Sequence, residues 1–165
     1  MKTKRGFSLT ELMVVIAIIG VLAGIAIPSY RTHAIKAKVS EAFNVADPCQ
    51  IQIEQFYFKN GRLPATSEMT GIGFNACNTD PSTPVSRYVS RIFYWSGGVT
   101  GGNVAQIQIT LSTDSSLGSA AGGIIWLDTY GGQNNTLRWF CRVPTVGVAV
   151  PTIYLPANIL PCQNL

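Results

Sequence analysis

The stretch GFSLTELMVVIAIIGVLAGIAIP, residues Gly6–Pro28, is an apolar run that carries one carboxylate, Glu11, near its start. Its sixteen uncharged residues 12–27 would form about 24 Å of helix at 1.5 Å per residue, which is shorter than a hydrocarbon core of about 30 Å. Counting from Phe7 lengthens the helix to about 31 Å. The run therefore spans a membrane only if Glu11 lies in the first turn, near the headgroups, where a helix N-terminus also favours negative charge.

Two other interpretations of this run stay open at this point, a cleaved secretory signal and a buried core helix. The sequence AGIAIPSY, residues 23–30, offers only a weak signal-peptidase site. Ser8 or Thr10 is a suitable N-cap for a helix that begins here. Gly20 and Gly24 form a GxxxG pattern, which permits close helix approach in lipid but also occurs often by chance.

The charge of the chain does not identify a partner. The formal charge is +4, but three of the basic residues lie in the first five positions, and without them about +1 remains. Only 12% of the 165 residues are charged, and small polar residues are abundant after Gly61, a composition common in secreted β-rich domains. The basic residues that flank the apolar run are balanced, so they do not set a membrane orientation: Lys2, Lys4 and Arg5 before it, and Arg31, Lys36 and Lys38 after it.

Four cysteines point to an oxidising compartment, because they are too widely spaced for a CxxC metal or redox motif. Three pairings are available. We favour Cys141–Cys162, which would hold a proline-rich terminal segment that otherwise frays, and this leaves Cys49–Cys77. Four independent buried thiols are the alternative. If the disulfides form, the part of the chain that follows the apolar run faces the oxidising side of the membrane.

Residues 29–61 have the pattern of an amphipathic helix that leaves the membrane. Seven apolar positions are spaced by four and three residues in turn: Ile35, Val39, Ala42, Ala46, Cys49, Ile53 and Phe56. The stripe keeps its phase across Pro48, so we predict a kink there and not a break. Gly61 is suited to the left-handed position that follows a helix, and Pro64 prevents a restart.

The remaining chain predicts a four-stranded antiparallel sheet. Four segments have strand composition, and glycine pairs between them are typical of turns: Arg87–Trp95, Asn103–Leu111, Gly123–Asp128 and Leu137–Val143. Residues 62–86 would form the connecting loop and 87–143 the sheet. A sheet packed against one long helix accounts for every apolar run, so we predict an α+β fold.

The sequence argues against an enzyme, a cofactor and a metal site. His33 follows the apolar run by only a few residues, so a Ser-His-Asp arrangement in the globular part is not available, and nucleotide-binding and metalloprotease motifs are missing. Asp80, Asp114 and Asp128 are scattered and more typical of turns than of calcium ligands. The aromatic residues of the predicted strands are expected to pack in the core: Phe93, Tyr94, Trp95, Trp126, Trp139 and Phe140.

Taken together, these features resemble the bacterial type IV pilins and the related proteins with class III signal peptides. The resemblance is specific over residues 4–30, where a short basic leader, Gly6, Phe7, SLTELMVVIAIIG and Pro28 occur in order. Beyond about residue 64 it concerns the architecture alone. It implies that residues 1–6 are a leader of the type IVa class, that a prepilin peptidase cuts between Gly6 and Phe7, and that the new amine of Phe7 is methylated.

The resemblance also implies how residues 7–28 act in assembly. The apolar helix would move from the bilayer into a helical filament of identical subunits, where an unpaired Glu11 carboxylate is unfavourable. The implied partner is the methylated amine of Phe7 on a neighbouring subunit, which would set the axial register. The alternative is that Glu11 only interacts with its own helix dipole. Gly20, Gly24 and Pro28 make a weak helical stretch that could unwind in the filament.

The implied function is that of a structural subunit of a surface pilus for adhesion and twitching motility, with DNA uptake as an open addition. The segment 141–162 would be an exposed disulfide loop, and the chain would sit in the inner membrane before it enters the extracellular filament. Implied partners are the pilus assembly machinery, other pilins, and a host surface or DNA. Alternatives are a type II secretion pseudopilin, or a minor pilin that primes the fibre or binds DNA through four arginines that are equally suited to a solvated sheet: Arg87, Arg91, Arg138 and Arg142.

Overall fold

The computed structural model describes residues 7–69, 76–77, 84–96, 104–131, 136–144, 147–156 and 162–164. The chain divides into two compact units, residues 1–34 and 35–165. Helix α1, Leu9–Asn60, is continuous and contributes to both units. Its apolar N-terminal part is long enough to cross a membrane, and no part of that window is buried within the protein.

Helix α1 ends where the sequence predicts. Gly61 has a φ of 68°, and its N–H donates to the carbonyl of Tyr57 at 2.8 Å, which satisfies one of the last helical carbonyls. The helix is unbroken at Pro48, although a proline leaves the carbonyl of Asn44 without its helical donor. The predicted division at residue 28 is therefore not a division of secondary structure, because the same helix runs through Pro28.

The globular unit contains an antiparallel sheet of four strands with a short fifth strand at its edge. The strands follow in the order β1 Val89–Ser96, β2 Val104–Leu111, β3 Ile124–Gly131, β4 Leu137–Val143 and β5 Gln163–Asn164. Each of the first four strands pairs antiparallel with the next, whereas β5 pairs parallel with β4. The predicted four-stranded α+β architecture is confirmed. Strand β5 was not predicted, because a strand of two residues has no periodic sequence pattern.

One face of the sheet packs on the globular part of α1. Five of the seven stripe positions predicted on the helix are buried, and Phe43 and Tyr57 join them. The sheet contributes the alternate residues of its strands, including Ile92, Ile107, Ile125 and Leu127, all with no exposed surface. Burial of this continuous apolar interface is the main favourable term in the folding of the unit.

Two polar contacts fix the position of the helix on its partners. The indole Nε1 of Trp139 donates to Glu54 Oε1 at 2.8 Å, and Lys38 Nζ donates to the carbonyl of Ser116 at 2.9 Å. Ser116 belongs to a 3₁₀ helix, Ser115–Ala120, which connects β2 and β3 and is capped by Asp114. These hydrogen bonds are directional, whereas apolar packing is not, so they restrict how the helix is oriented on its partners.

The segment predicted as the loop 62–86 contains a short helix, α2, Thr66–Met69. Arg62 donates to both carboxylate oxygens of Glu68, at 2.8 and 2.7 Å, and Ala65 N–H donates to the same carboxylate. The hydrogen bonds from Arg62, and next the one from Ala65, lower the pKa of Glu68 to about 2. Tyr94 Oη donates to the carbonyl of Pro64 at 2.7 Å and ties the start of this segment to β1.

Candidate assembly site

The N-terminus of α1 is closed by a reciprocal pair of hydrogen bonds. Ser8 precedes the first helical residue, and its Oγ accepts from the N–H of Thr10 at 3.3 Å. In return, the N–H of Ser8 donates to Glu11 Oε2 at 2.9 Å. This is a capping box, in which the cap residue and the third helical residue each satisfy one free backbone donor. Ser8, and not Thr10, is thus the N-cap.

Glu11 therefore has a partner within its own chain. This bond was not predicted, although the spacing S-L-T-E, residues 8–11, is the S-x-x-E pattern of a capping box and is a local signal for it. The carboxylate stays on the surface of the single subunit, in a shallow groove lined also by Phe7, Val14 and Val15. Only one of its oxygens takes part in the capping bond, so the group keeps acceptor capacity for a second, cationic partner.

The apolar residues next to Glu11 are exposed in the single chain. Phe7 exposes 87% of its surface, and the large apolar residues between Leu9 and Ile27 are all about half exposed or more. A contiguous exposed apolar surface of this size marks a membrane or protein contact. The helix thus needs lipid or other copies of the chain to cover it.

Gly20, Gly24 and Pro28 lie within the continuous helix. A Cβ at either glycine would meet nothing within 4 Å, so neither glycine is required by packing inside the subunit. Pro28 has no N–H to donate to the carbonyl of Gly24, and the hydroxyl of Thr32 donates to the carbonyl of Pro28 at 3.2 Å. The stretch is therefore helical in the single chain, and its unwinding in a filament stays a prediction.

The leader residues 1–6 lie outside the described residues, so cleavage between Gly6 and Phe7 and methylation of Phe7 also stay predictions.

Both favoured disulfides are present. Cys49–Cys77 joins α1 to the segment before β1, and the carbonyl of Cys77 accepts from the N–H of Tyr94 at 3.0 Å. Cys141–Cys162 joins β4 to the residue directly before β5. The bond holds the C-terminal segment where β5 can pair with β4, which explains how so short a strand forms.

The carboxylates considered as calcium ligands have other partners. Asp114 accepts from the N–H of Ser116 at 2.8 Å and lies 3.4 Å from Arg87 Nε. Hydrogen bonding to Ser116, and secondarily Arg87, lowers the pKa of Asp114 to about 2. Asp128 accepts from Gln106 at 2.8 Å and forms an ion pair with Arg142. Asp80 lies outside the described residues, and within these no group of three or more His, Cys, Asp or Glu side chains could hold a metal ion.

The expectation that the strand aromatics pack in the core is wrong for most of them. Tyr94 is fully buried, but Trp95 exposes 44% and Phe140 48% of its surface. Phe93 and Trp126 are half-buried beneath arginine side chains, with Arg91 and Arg142 at 4.6 and 4.8 Å from the ring centroids. The reason is strand alternation, which places residues of adjacent sequence on opposite faces of the sheet.

Comparison with known proteins identifies this combination of an exposed N-terminal helix and a helix-packed sheet. Residues 35–160 match the family model described as pilin, a bacterial filament protein, and residues 1–27 match the prokaryotic N-terminal methylation motif. The chain belongs to the pilin family. The family match covers most of the globular unit, and the motif match covers the segment that holds Gly6, Phe7 and Glu11.

Relatives of this pilin include named fimbrial proteins. It is 30% identical over 141 residues to a fimbrial protein of Neisseria meningitidis serogroup B, a match that covers 86% of this chain and 74% of the relative. It is 28% identical to a type IV major pilin protein of Neisseria gonorrhoeae, over 86% of this chain and 77% of the relative. A fimbrial protein of Eikenella corrodens is 34% identical over 66% of each chain.

Proposed function

We propose that this pilin is the structural subunit of a type IV pilus, and that it polymerises through α1 into a surface filament for adhesion and twitching motility. The observation that carries the proposal is the exposed apolar helix, with Glu11 at its start, on a chain that belongs to the pilin family. Relatives named as major pilin and fimbrial proteins favour this role over that of a pseudopilin or minor pilin. The role is structural, so we expect no catalytic activity.

Processing is the first step of the proposed pathway. A prepilin peptidase removes residues 1–6 and methylates the new amine of Phe7. The cleavage exposes this amine and so creates a positive charge four residues before Glu11. The subunit waits in the inner membrane until the assembly machinery incorporates it, with other pilins, into the extracellular filament. DNA uptake and host attachment are further activities of such a filament.

Glu11 has two successive roles in this proposal. In the membrane its carboxylate accepts the N–H of Ser8, which reduces the cost of placing a carboxylate near lipid. In the filament it pairs with the methylated amine of Phe7 on a neighbouring subunit. An unpaired charge in the filament core would cost several kcal/mol, so the ion pair sets the register of helices that would otherwise slide.

The capping bond allows the two roles to be separated by mutation. Glu11→Gln keeps an oxygen that can accept from Ser8 N–H but removes the charge, whereas Glu11→Ala removes both. We expect both variants to insert and to be cleaved and methylated normally, as measured by mass spectrometry, yet to reduce the yield of sheared filaments at least tenfold. Glu41→Gln, on the same helix but in the globular unit, should assemble normally.

If Glu11→Gln assembled like the wild type while Glu11→Ala did not, the role of Glu11 would be capping and the ion pair would be refuted. Absence of the wild-type chain from sheared filaments would refute the structural role itself.

A further inference from the structure

The face of the sheet turned away from α1, here termed the outer face, carries an unusual set of side chains. Strand register and burial assign to it these residues: Arg91, Phe93, Trp95, Val104, Gln106, Gln108, Thr110, Ile124, Trp126, Asp128, Tyr130, Arg138, Phe140 and Arg142. A solvent-facing sheet surface is ordinarily covered by small polar and charged residues. Here five of the fourteen are aromatic, and three of those expose nearly half of their surface.

The exposed rings form two separate stacking sites, here termed stations: Trp95 alone, and the pair Tyr130 and Phe140. Tyr130 and Phe140 are edge-to-face neighbours with centroids 5.7 Å apart. Trp95 lies in the same cross-strand row as Phe140, because Trp95 pairs with Gln106, Gln106 with Asp128, and Asp128 with Phe140. Three strand spacings, about 14 Å, separate Trp95 from Phe140. This distance leaves room for separate planar groups to stack on each station.

The charge of the outer face favours an anion. It carries three arginines and one carboxylate, and that carboxylate, Asp128, is 6% exposed and already engaged by Gln106 and Arg142. Arg138 is exposed and lies opposite Tyr130 in the register, so a cationic group accompanies the Tyr130–Phe140 station. The guanidinium carbons of Arg91 and Arg142 lie 4.6 and 4.8 Å from the ring centroids of Phe93 and Trp126, so both cations lie close to the sheet surface.

We propose that the outer face binds single-stranded nucleic acid, with unpaired bases stacked on Trp95 and on the Tyr130–Phe140 pair and the phosphates near Arg138, Arg91 and Arg142. Exposed aromatics on an antiparallel sheet, interleaved with arginines, are the physical means by which sheet platforms hold unpaired bases. A duplex hides the faces of its bases inside the stack, so it can use only the arginines. The proposal rests on the proposed function only for the display of this face on a filament.

The test measures binding of a fluorescein-labelled thymidine oligonucleotide of about 15 nucleotides, in the range of site sizes for such platforms. Anisotropy is recorded with sheared filaments and, separately, with the full mature chain in detergent. The same strand in a duplex and a sialylated oligosaccharide serve as the competing ligands. Binding by the detergent-held chain is independent of assembly, so a failure to form filaments is distinguishable from a failure to bind.

We expect the single strand to bind more tightly than the duplex. Trp95→Ala and Phe140→Ala should each weaken binding about tenfold, and Trp95→Phe should retain most of it because a stacking ring remains. Arg138→Gln should reduce the dependence of log affinity on log salt by roughly one contact.

Two control variants lie off the outer face. Lys59→Gln removes an exposed cation in the last turn of α1, and Phe58→Ala removes an exposed ring of the same helix. Both should bind within about twofold of the wild type.

Several results would overturn the proposal. These are no binding of the single strand, equal affinity for the duplex, or equal losses in the outer-face and control variants. If the sialylated oligosaccharide displaced the oligonucleotide and bound more tightly than it, the proposal would also be overturned. The outer face would then be assigned to an anionic glycan.

Discussion

The packing of α1 on the sheet predicts opposite outcomes for two isoleucines only two residues apart. Ile53 has no exposed surface and lies in the core, whereas Ile51 is 52% exposed on the other side of the same helix. Ile53→Ala should destabilise the globular unit by about 3 kcal/mol, within the range of 2–5 for buried large-to-small changes. Ile51→Ala should stay within about 0.5 kcal/mol, because it empties no space in the core.

The assay is urea unfolding of the mature chain in detergent, followed by tryptophan fluorescence with the disulfides intact. For a denaturant slope of about 2 kcal/mol per molar, a loss of about 3 kcal/mol lowers the midpoint by about 1.5 M. The slope should not change, since both variants expose similar surface on unfolding. Comparable midpoint shifts for the two variants would refute the assignment of Ile53 to the helix–sheet interface.

Three further predictions concern the contacts that hold the globular unit together. Tyr94→Phe removes the donor to the carbonyl of Pro64 and should cost about 1–3 kcal/mol, measured by the same urea titration, with an unchanged midpoint refuting the bond. Replacing Cys141 and Cys162 by serine should cost about 3 kcal/mol and increase hydrogen exchange first at β5, whereas uniform exchange would contradict its dependence on the bond. Because the folded pKa of Asp114 is lowered to about 2, its contribution to stability is present above pH of about 4 and lost as the pH falls through about 2. The melting temperature of Asp114→Asn should therefore lie below that of the wild type near neutral pH and converge with it near pH 2, and a constant difference would exclude the ionised group as the cause.

Glu11 shows how far sequence reasoning reaches at the assembly site. Its place in the first turn of a membrane-length helix follows from the length of the apolar run alone. The bond to Ser8 was also encoded locally, as the S-x-x-E spacing, and was overlooked. Neither the sequence nor the structure of a single subunit identifies the partner of Glu11 in a filament, because another copy of the chain must supply it.

The sequence by itself determined the features that depend on periodicity and on single residues. The 4–3 spacing of the helix stripe, the period of two in β2 and the turn at Gly61 need only local geometry, and all three are present in the structure. Each of these results is set by backbone stereochemistry and the hydrophobic effect within a short segment.

Tertiary structure decided which aromatic residues are core and which are surface. Trp95 and Phe140 are apolar by composition, and only the register of four strands shows that both share the outer face with Arg138. The parallel pairing of β5 likewise requires a disulfide that joins residues 21 positions apart. Contacts between distant segments carry no periodic signal, so the chain must fold before the outer face exists.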